Sequence, residues 1–280
     1  MIRRIWIAVF TGLFLCIGAL LTFNSLYATE LHHTKTLDAA DIKKINIRTE
    51  LLDVTLYESK DEHIHASISG YASKLSSYDI HIVQDEHTLN IRSLETNAVA
   101  TSVSFSKTIT LQVYLPSSML DDLSIYTTFG SLYADENMDS KQLTFKSTLG
   151  GVYLEKVQAK KLVIDTSLGN IQINHLSGEA QVHTDSGNIS ILNWEPIGEN
   201  QTIHTNKGNI HISLAKPLLQ SKLHLYTNGH LSTTLDVQHI PYPDRFSSNG
   251  IHRIYGTVGT FPSPSRSIQI GSDTGQIIIE

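Results

Sequence analysis

The sequence predicts an all-β chain, a parallel β-helix or β-solenoid with rungs of 18–21 residues, preceded by an N-terminal transmembrane helix. Three observations lead there. A six-residue phrase recurs as Thr127-Thr-Phe-Gly-Ser-Leu132, Ser147-Thr-Leu-Gly-Gly-Val152, Thr166-Ser-Leu-Gly-Asn-Ile171, Thr184-Asp-Ser-Gly-Asn-Ile189 and Thr205-Asn-Lys-Gly-Asn-Ile210. Its glycines, Gly130, Gly150, Gly169, Gly187 and Gly208, lie 20, 19, 18 and 21 residues apart. A period of that length marks a solenoid, whose units bury a core only by stacking on one another. Around each glycine apolar and polar residues alternate, and beyond the N-terminal segment no stretch sustains a 3.6-residue apolar period.

The elements follow in order. Arg3 and Arg4 close a short cytoplasmic end, residues 1–4, and an uncharged run follows from Ile5 to Phe23. As a helix this run is ~28 Å long, close to the hydrocarbon thickness of a bilayer. We read it as an uncleaved anchor through the lipid bilayer. Export with cleavage is the alternative, but Leu26 is too large for the small-residue site that would precede a cut after Ala28. Arginines before the span place the N-terminus in the cytoplasm and the rest of the chain outside. A polar linker is expected at 24–40. Residues 41–120 then carry alternating runs such as Ile45-Asn-Ile-Arg48 and Val54-Thr-Leu-Tyr57 at irregular spacing, read as a β region capping the solenoid.

The repeats proper are expected over 121–280. Seven and five residues before the glycines stand columns such as Leu123, Leu143, Leu162 and Ile125, Phe145, Ile164. Two and four after stand Leu132, Val152, Ile171, Ile189, Ile210 and Ala134, Leu154, Ile173, Ile191, Ile212. Each rung thus has two short strands with alternate side chains inward. The glycine marks the corner, where positive φ is expected to favour it. Stacked rungs turn Thr127, Ser147, Thr166, Thr184 and Thr205 into a hydroxyl ladder. The pattern continues with defects at Gly229, Gly250 and Gly275, and prolines at 241, 243, 262 and 264 predict a looped insertion over about 236–266.

Composition narrows the function. The net charge of -6 and the lack of basic runs argue against nucleic acid. The single cysteine, Cys16, lies in the apolar segment, so the ectodomain has neither disulfides nor thiolate metal sites.

The phrase Val113-Tyr-Leu-Pro116 leading into Leu123-Ser-Ile-Tyr-Thr-Thr-Phe-Gly130, the Thr-x-x-Gly-Asn-Ile rungs and the closing Ser272-Asp-Thr-Gly-Gln-Ile-Ile-Ile279 resemble the LiaG-like adhesin family of bacterial envelope proteins, a domain of unknown function. The resemblance spans roughly residues 40–280. It implies a right-handed β-helix-like fold, a cell-envelope location and a link to envelope stress. It supplies no catalytic residues.

Three constellations bear on chemistry. His183 and His204 share a column with Lys146 and Asp165, close enough for a His-His-Asp metal site, yet no ligand-dense motif accompanies them. We read the column as solvated surface and expect no metal and no cofactor. Asp165 and Asp185 are the carboxylates a polysaccharide-acting β-helix enzyme would use, but polar turn residues fill equivalent positions in other rungs. Tyr126, Tyr133 and Tyr153, together with His183 and His204, lie on outward columns, where they could bind a cell-wall polymer or an envelope membrane protein. The expected function is therefore a non-catalytic, membrane-anchored extracellular module, with an enzyme or a regulatory partner of an envelope-sensing membrane protein as alternatives.

Overall fold

In the computed structural model the described residues are 28–73, 76–96, 109–116, 120–218, 220–240, 250–259 and 266–280. Their regular structure is β throughout. The strands are β1 (Ala28–Asp38), β2 (Lys44–Arg48), β3 (Asp53–Glu58), β4 (His63–Ser73), β5 (Ser77–Asp85), β6 (Thr88–Thr96), β7 (Thr110–Leu115), β8 (Leu120–Thr127), β9 (Leu132–Ser147) and β10 (Val152–Leu168). They continue as β11 (Ile171–Ser186), β12 (Ile189–Pro196), β13 (Asn200–Lys207), β14 (Ile210–Leu214), β15 (Ser221–Thr227), β16 (Leu231–Thr233), β17 (Gln238–His239), β18 (His252–Val258), β19 (Arg266–Ser272) and β20 (Ile277–Ile279).

Strand pairing lays them in two stacks. Sheet A runs β5-β6-β2-β8, then the second halves of β9, β10 and β11, then β13-β19-β15-β18-β17. Sheet B runs β1-β4-β7-β3, then the first halves of β9, β10 and β11, then β12-β14-β20-β16. The central pairings are parallel, and antiparallel strands are confined to the two ends. A rung is thus a sheet A strand, a tight corner and a sheet B strand. β9, β10 and β11 each bend back into sheet A to start the next one.

The inward columns are those read from the sequence. Leu123, Ile125, Phe145, Leu162, Ile164, Leu132, Val152, Ile173, Ile191 and Ile212 are all buried, and Ile171, Ile189, Ile210 and Ile277 form one file in register.

The corner glycine, however, is required by crowding and not by positive φ. Of the repeat glycines only Gly208 has a positive value, φ 156°. A Cβ on Gly150 would lie 2.0 Å from the carbonyl oxygen of Gly130, and one on Gly169 would lie 2.2 Å from that of Gly150. No side chain fits such a gap. Each corner carbonyl points along the stack toward the next rung, where the hydroxyl column meets it. Thr166 donates to the Gly150 carbonyl at 3.0 Å, Thr184 to Gly169 at 3.1 Å and Thr205 to Gly187 at 3.0 Å. The asparagines after the glycine do not adopt positive φ either. Their side-chain oxygens accept from the next rung, Asn170 from Asn188 N–H at 2.9 Å and Asn188 from Asn209 N–H at 2.8 Å.

The order of the end rungs departs from the linear reading. β19–β20 slots between β13–β14 and β15–β16, so Gly275 and not Gly229 sits on Gly208. Gly250 is no stacked corner: it takes φ 96° with open space where a Cβ would be. The region 236–266 includes strand β18, antiparallel to β15. At the other end β2–β3 lies inside the stack, between β6–β7 and β8–β9, instead of forming part of a separate cap. Thr49 extends the hydroxyl column there, donating to Leu52 carbonyl at 2.9 Å. Residues 28–38, read as part of the linker, are the edge strand β1. The expected span at 5–23 lies outside the described residues, among which no helix is long and apolar enough to cross a membrane.

Ile189, 1% exposed, is the most direct test of the core assignment. An unpaired carboxylate there costs several kcal/mol, comparable to the stability of a whole domain. Ile189→Asp is expected to abolish the cooperative thermal transition seen by circular dichroism, whereas an unchanged midpoint would put the column on the surface.

Candidate binding surface

One file of outward side chains crosses sheet A: Arg48, Tyr126, Lys146, Asp165, His183, His204, Gly271 and Tyr226, in spatial order. Register alone places them there. Each precedes the hydroxyl residue of its rung by one position, so alternation turns it to solvent while the hydroxyl turns in.

The C-terminal half of this file is an aromatic stack. The His183 and His204 rings lie parallel, 5.5 Å apart and 2° from coplanar orientation. Tyr226 stacks on His204 at 5.9 Å, although the β19 rung lies between their strands. Gly271 makes this possible. A Cβ there would fall 2.1 Å from Tyr226 Cζ, so the ring lies flat across the glycine and brings its hydroxyl 3.2 Å from His204 Nδ1. His224 and Tyr255 continue the aromatic surface, at 5.2 Å from Tyr226 and 5.9 Å from His224 respectively, and the Lys222 ammonium sits 5.2 Å from the Tyr255 ring centre.

Polar neighbours fix the imidazoles. His183 Nε2 lies 3.2 Å from Asp185 Oδ1, and His204 Nε2 lies 2.8 Å from Asn206 Oδ1. Asn206 in turn donates to Asp185 at 2.8 Å. Parallel rings aim their nitrogens alike instead of converging on a point. No group of three or more His, Cys, Asp or Glu able to hold a metal occurs among the described residues. Asp185 is engaged by this network, and Asp165 lies on the neighbouring strand, level with His183. The arrangement can offer ring edges, N–H donors and carboxylate acceptors to a ligand laid along the strip.

The predicted tyrosines divide between the two faces. Tyr126 belongs to the sheet A file, where the Arg48 guanidinium lies 5.3 Å from its ring centre. Tyr133 and Tyr153 are on sheet B, stacked at 5.1 Å and 8°. A second sheet B pair, Tyr57 and Tyr114, stacks at 4.9 Å beside His65. At that end Asp61 accepts from His65, from the His63 backbone and from Ser59, which hold its carboxyl down at about 2.

Tyr226 and Gly271 were missed in the sequence, yet a signal existed. A one-residue gap before Gly229 aligns Thr227 with Thr205, which puts Tyr226 in the histidine file. Tyr255, brought in by the antiparallel β18, had no such signal.

Burial, then Arg253 and Lys222, push the His224 imidazole below its ordinary value. Its folded pKa is the lower one, so the unfolded chain takes up its proton first as pH falls. The stability tied to neutral His224 is present above the unfolded value near 6.5 and is lost as pH drops through the folded value. Thermal midpoints measured from pH 7.5 to 5 are expected to fall less for His224→Gln than for the natural chain; parallel curves would refute that role.

The Toastrack DUF4097 family profile matches residues 42–135 and 126–240, more than half of the chain. Among solved structures, a "putative adhesin" from Bacteroides fragilis is 15% identical with a TM-score of 0.47, covering 89% of this chain and 97% of that one. A "putative cell adhesion protein" from Clostridium sporogenes is 11% identical with a TM-score of 0.39, covering 90% and 99%. A "putative lipid binding protein" from Parabacteroides distasonis is 10% identical with a TM-score of 0.36, covering 89% and 97%. No curated protein matches the sequence. On the extent of the profile match, with all the central rungs inside it, the chain belongs to the Toastrack DUF4097 family.

Proposed function

We propose that this protein is a non-catalytic binding module of the bacterial cell envelope, tethered to the membrane by residues 5–23 and displaying its stacked rungs outside. Within its family we place it with the LiaG-like envelope proteins, on the Val113-Tyr-Leu-Pro116 phrase and the N-terminal apolar run. A link to envelope stress follows from that placement. The observation that carries the binding reading is the in-register His183–His204–Tyr226 stack, cleared by a glycine and fixed by its own polar neighbours. Such a strip is a rigid recognition surface. A reaction centre needs unlike groups converging on one substrate atom, whereas here the candidate carboxylate Asp185 is tied to His183 and Asn206. The favoured ligand is a cell-wall polymer, along which repeated contacts at rung spacing can add.

The experiment is a paired assay of binding and turnover on peptidoglycan and teichoic acid. Saturable binding without product release is expected, weakened by His204→Ala and Tyr226→Ala together and retained by Asp165→Asn and Asp185→Asn. Turnover abolished by either aspartate substitution would replace this reading with an enzyme.

A further inference from the structure

The corner edge carries a feature that the repeat logic does not demand. The residue just before the corner position is Leu51, Phe129, Leu149 and Leu168 in successive rungs, exposed by 36%, 51%, 37% and 51%. Backbone bonds tie these corners directly: Phe129 N–H donates to Glu50, Leu149 to Thr128 and Leu168 to Thr148. At a strand spacing of ~4.8 Å the four side chains make an apolar ridge ~14 Å long. Leu94, 44% exposed, adds to the same edge, being one strand beyond Glu50 in the register that pairs Arg48 with Arg92. In the next rungs the equivalent residues are Ser186 and Lys207, so the apolar character stops there.

The ridge lies where the chain enters the fold. Asp53, at the start of sheet B after the corner, is level with Thr110, Ser69 and His32 across β3, β7, β4 and β1. β1 therefore begins past the corner, and its first residues project beyond that edge. Only residues 24–27 separate it from the apolar run that ends at Phe23, a reach of at most ~14 Å. The apolar corners belong to the rungs nearest this entry and the polar ones to rungs farther away.

Two arginines flank the ridge on the outer face of sheet A. Arg48 and Arg92 are register partners on β2 and β6 and line an open groove of about 310 Å3 with His81, Asn46 and Asn90. Neither guanidinium forms an ion pair among the described residues. The acids at this edge are Glu50, Glu95 and Asp53; Glu95 accepts from Ser93 and from the Leu51 backbone, and Asp53 accepts from the Ser131 backbone at 2.7 Å. Apolar side chains at a rim beside arginines with no ion pair among the described residues suit the boundary between acyl chains and headgroups of an anionic bilayer.

We propose that the first-corner edge is a membrane-interfacial surface, with Leu51, Phe129, Leu149 and Leu168 entering the headgroup region while Arg48 and Arg92 engage phosphates of anionic lipids. The inference rests on the anchored reading given above. The occupant is the bilayer that holds the chain, which keeps the rungs close to its surface without requiring a second protein.

The test uses the full chain with Cys16→Ser, reconstituted in vesicles containing phosphatidylglycerol and shallow nitroxide-labelled lipids. Single cysteines at Phe129, Leu149 and Leu168 carry a fluorophore, with Lys216→Cys on the opposite edge as reference. Flotation with the vesicles reports the anchor, and quenching reports the edge. Co-flotation with lipid quenching at the ridge but not at residue 216 is the expected result, at all three sites independently. Arg48→Gln is expected to lower the ratio of docked to undocked edge about fivefold in these vesicles. Co-flotation with ridge probes quenched only by aqueous iodide, like residue 216, would overturn the interfacial edge and leave the anchor standing. Failure to co-float would overturn both.

Discussion

The contact on which this structure depends is between the α-carbon of one corner glycine and the carbonyl oxygen of the corner beneath it. Gly169 over Gly150 and Gly150 over Gly130 leave no space for a methyl group. That carbonyl is turned along the stack, where a donor from the neighbouring rung pairs with it. Thr166 and its equivalents supply one hydroxyl per corner, and Thr166, Thr184 and Thr205 are almost wholly buried. A buried carbonyl left unpaired costs about 1–3 kcal/mol. Glycine and hydroxyl columns are therefore two sides of one requirement, and together they fix the register of both sheets.

Register in turn determines what the surface presents. Once the hydroxyl faces inward, its predecessor must face outward, and like positions stack at strand spacing. The histidine stack and the Tyr133–Tyr153 pair arise from this repetition. The apolar ridge at the corner arises from it too, through the residue just before each corner position. Gly271 shows the rule being used in reverse: removal of a side chain from the outward file lets Tyr226 lean across a rung. Recognition on this scaffold is a matter of which residues occupy a few outward files.

How much of this could be read in advance follows from the same physics. Core columns and the hydroxyl ladder were legible because they recur at fixed distance from a glycine, as Ile171, Ile189 and Ile210 do. The reason for the glycine was not, since crowding against a carbonyl and tolerance of positive φ leave the same letter in the sequence. Spatial order failed at both ends. Nothing local distinguishes a rung that adds to the stack from one such as β19–β20 that fills a slot between earlier rungs. The rung through Thr49 and Leu52 escaped notice because leucine replaces the glycine. His183 and His204 were legible as a pair, whereas Tyr255 came beside them through antiparallel pairing that no repeat encodes.

The corner contact can be tested by comparing Gly169→Ala with Gly250→Ala in thermal unfolding. At Gly169 the added methyl group meets the Gly150 carbonyl, while at Gly250 it meets open space and only the φ of 96° opposes it. The account predicts a loss of several kcal/mol or outright unfolding for Gly169→Ala, and a loss of about 1–3 kcal/mol for Gly250→Ala. Equal, small losses at the two positions would contradict it.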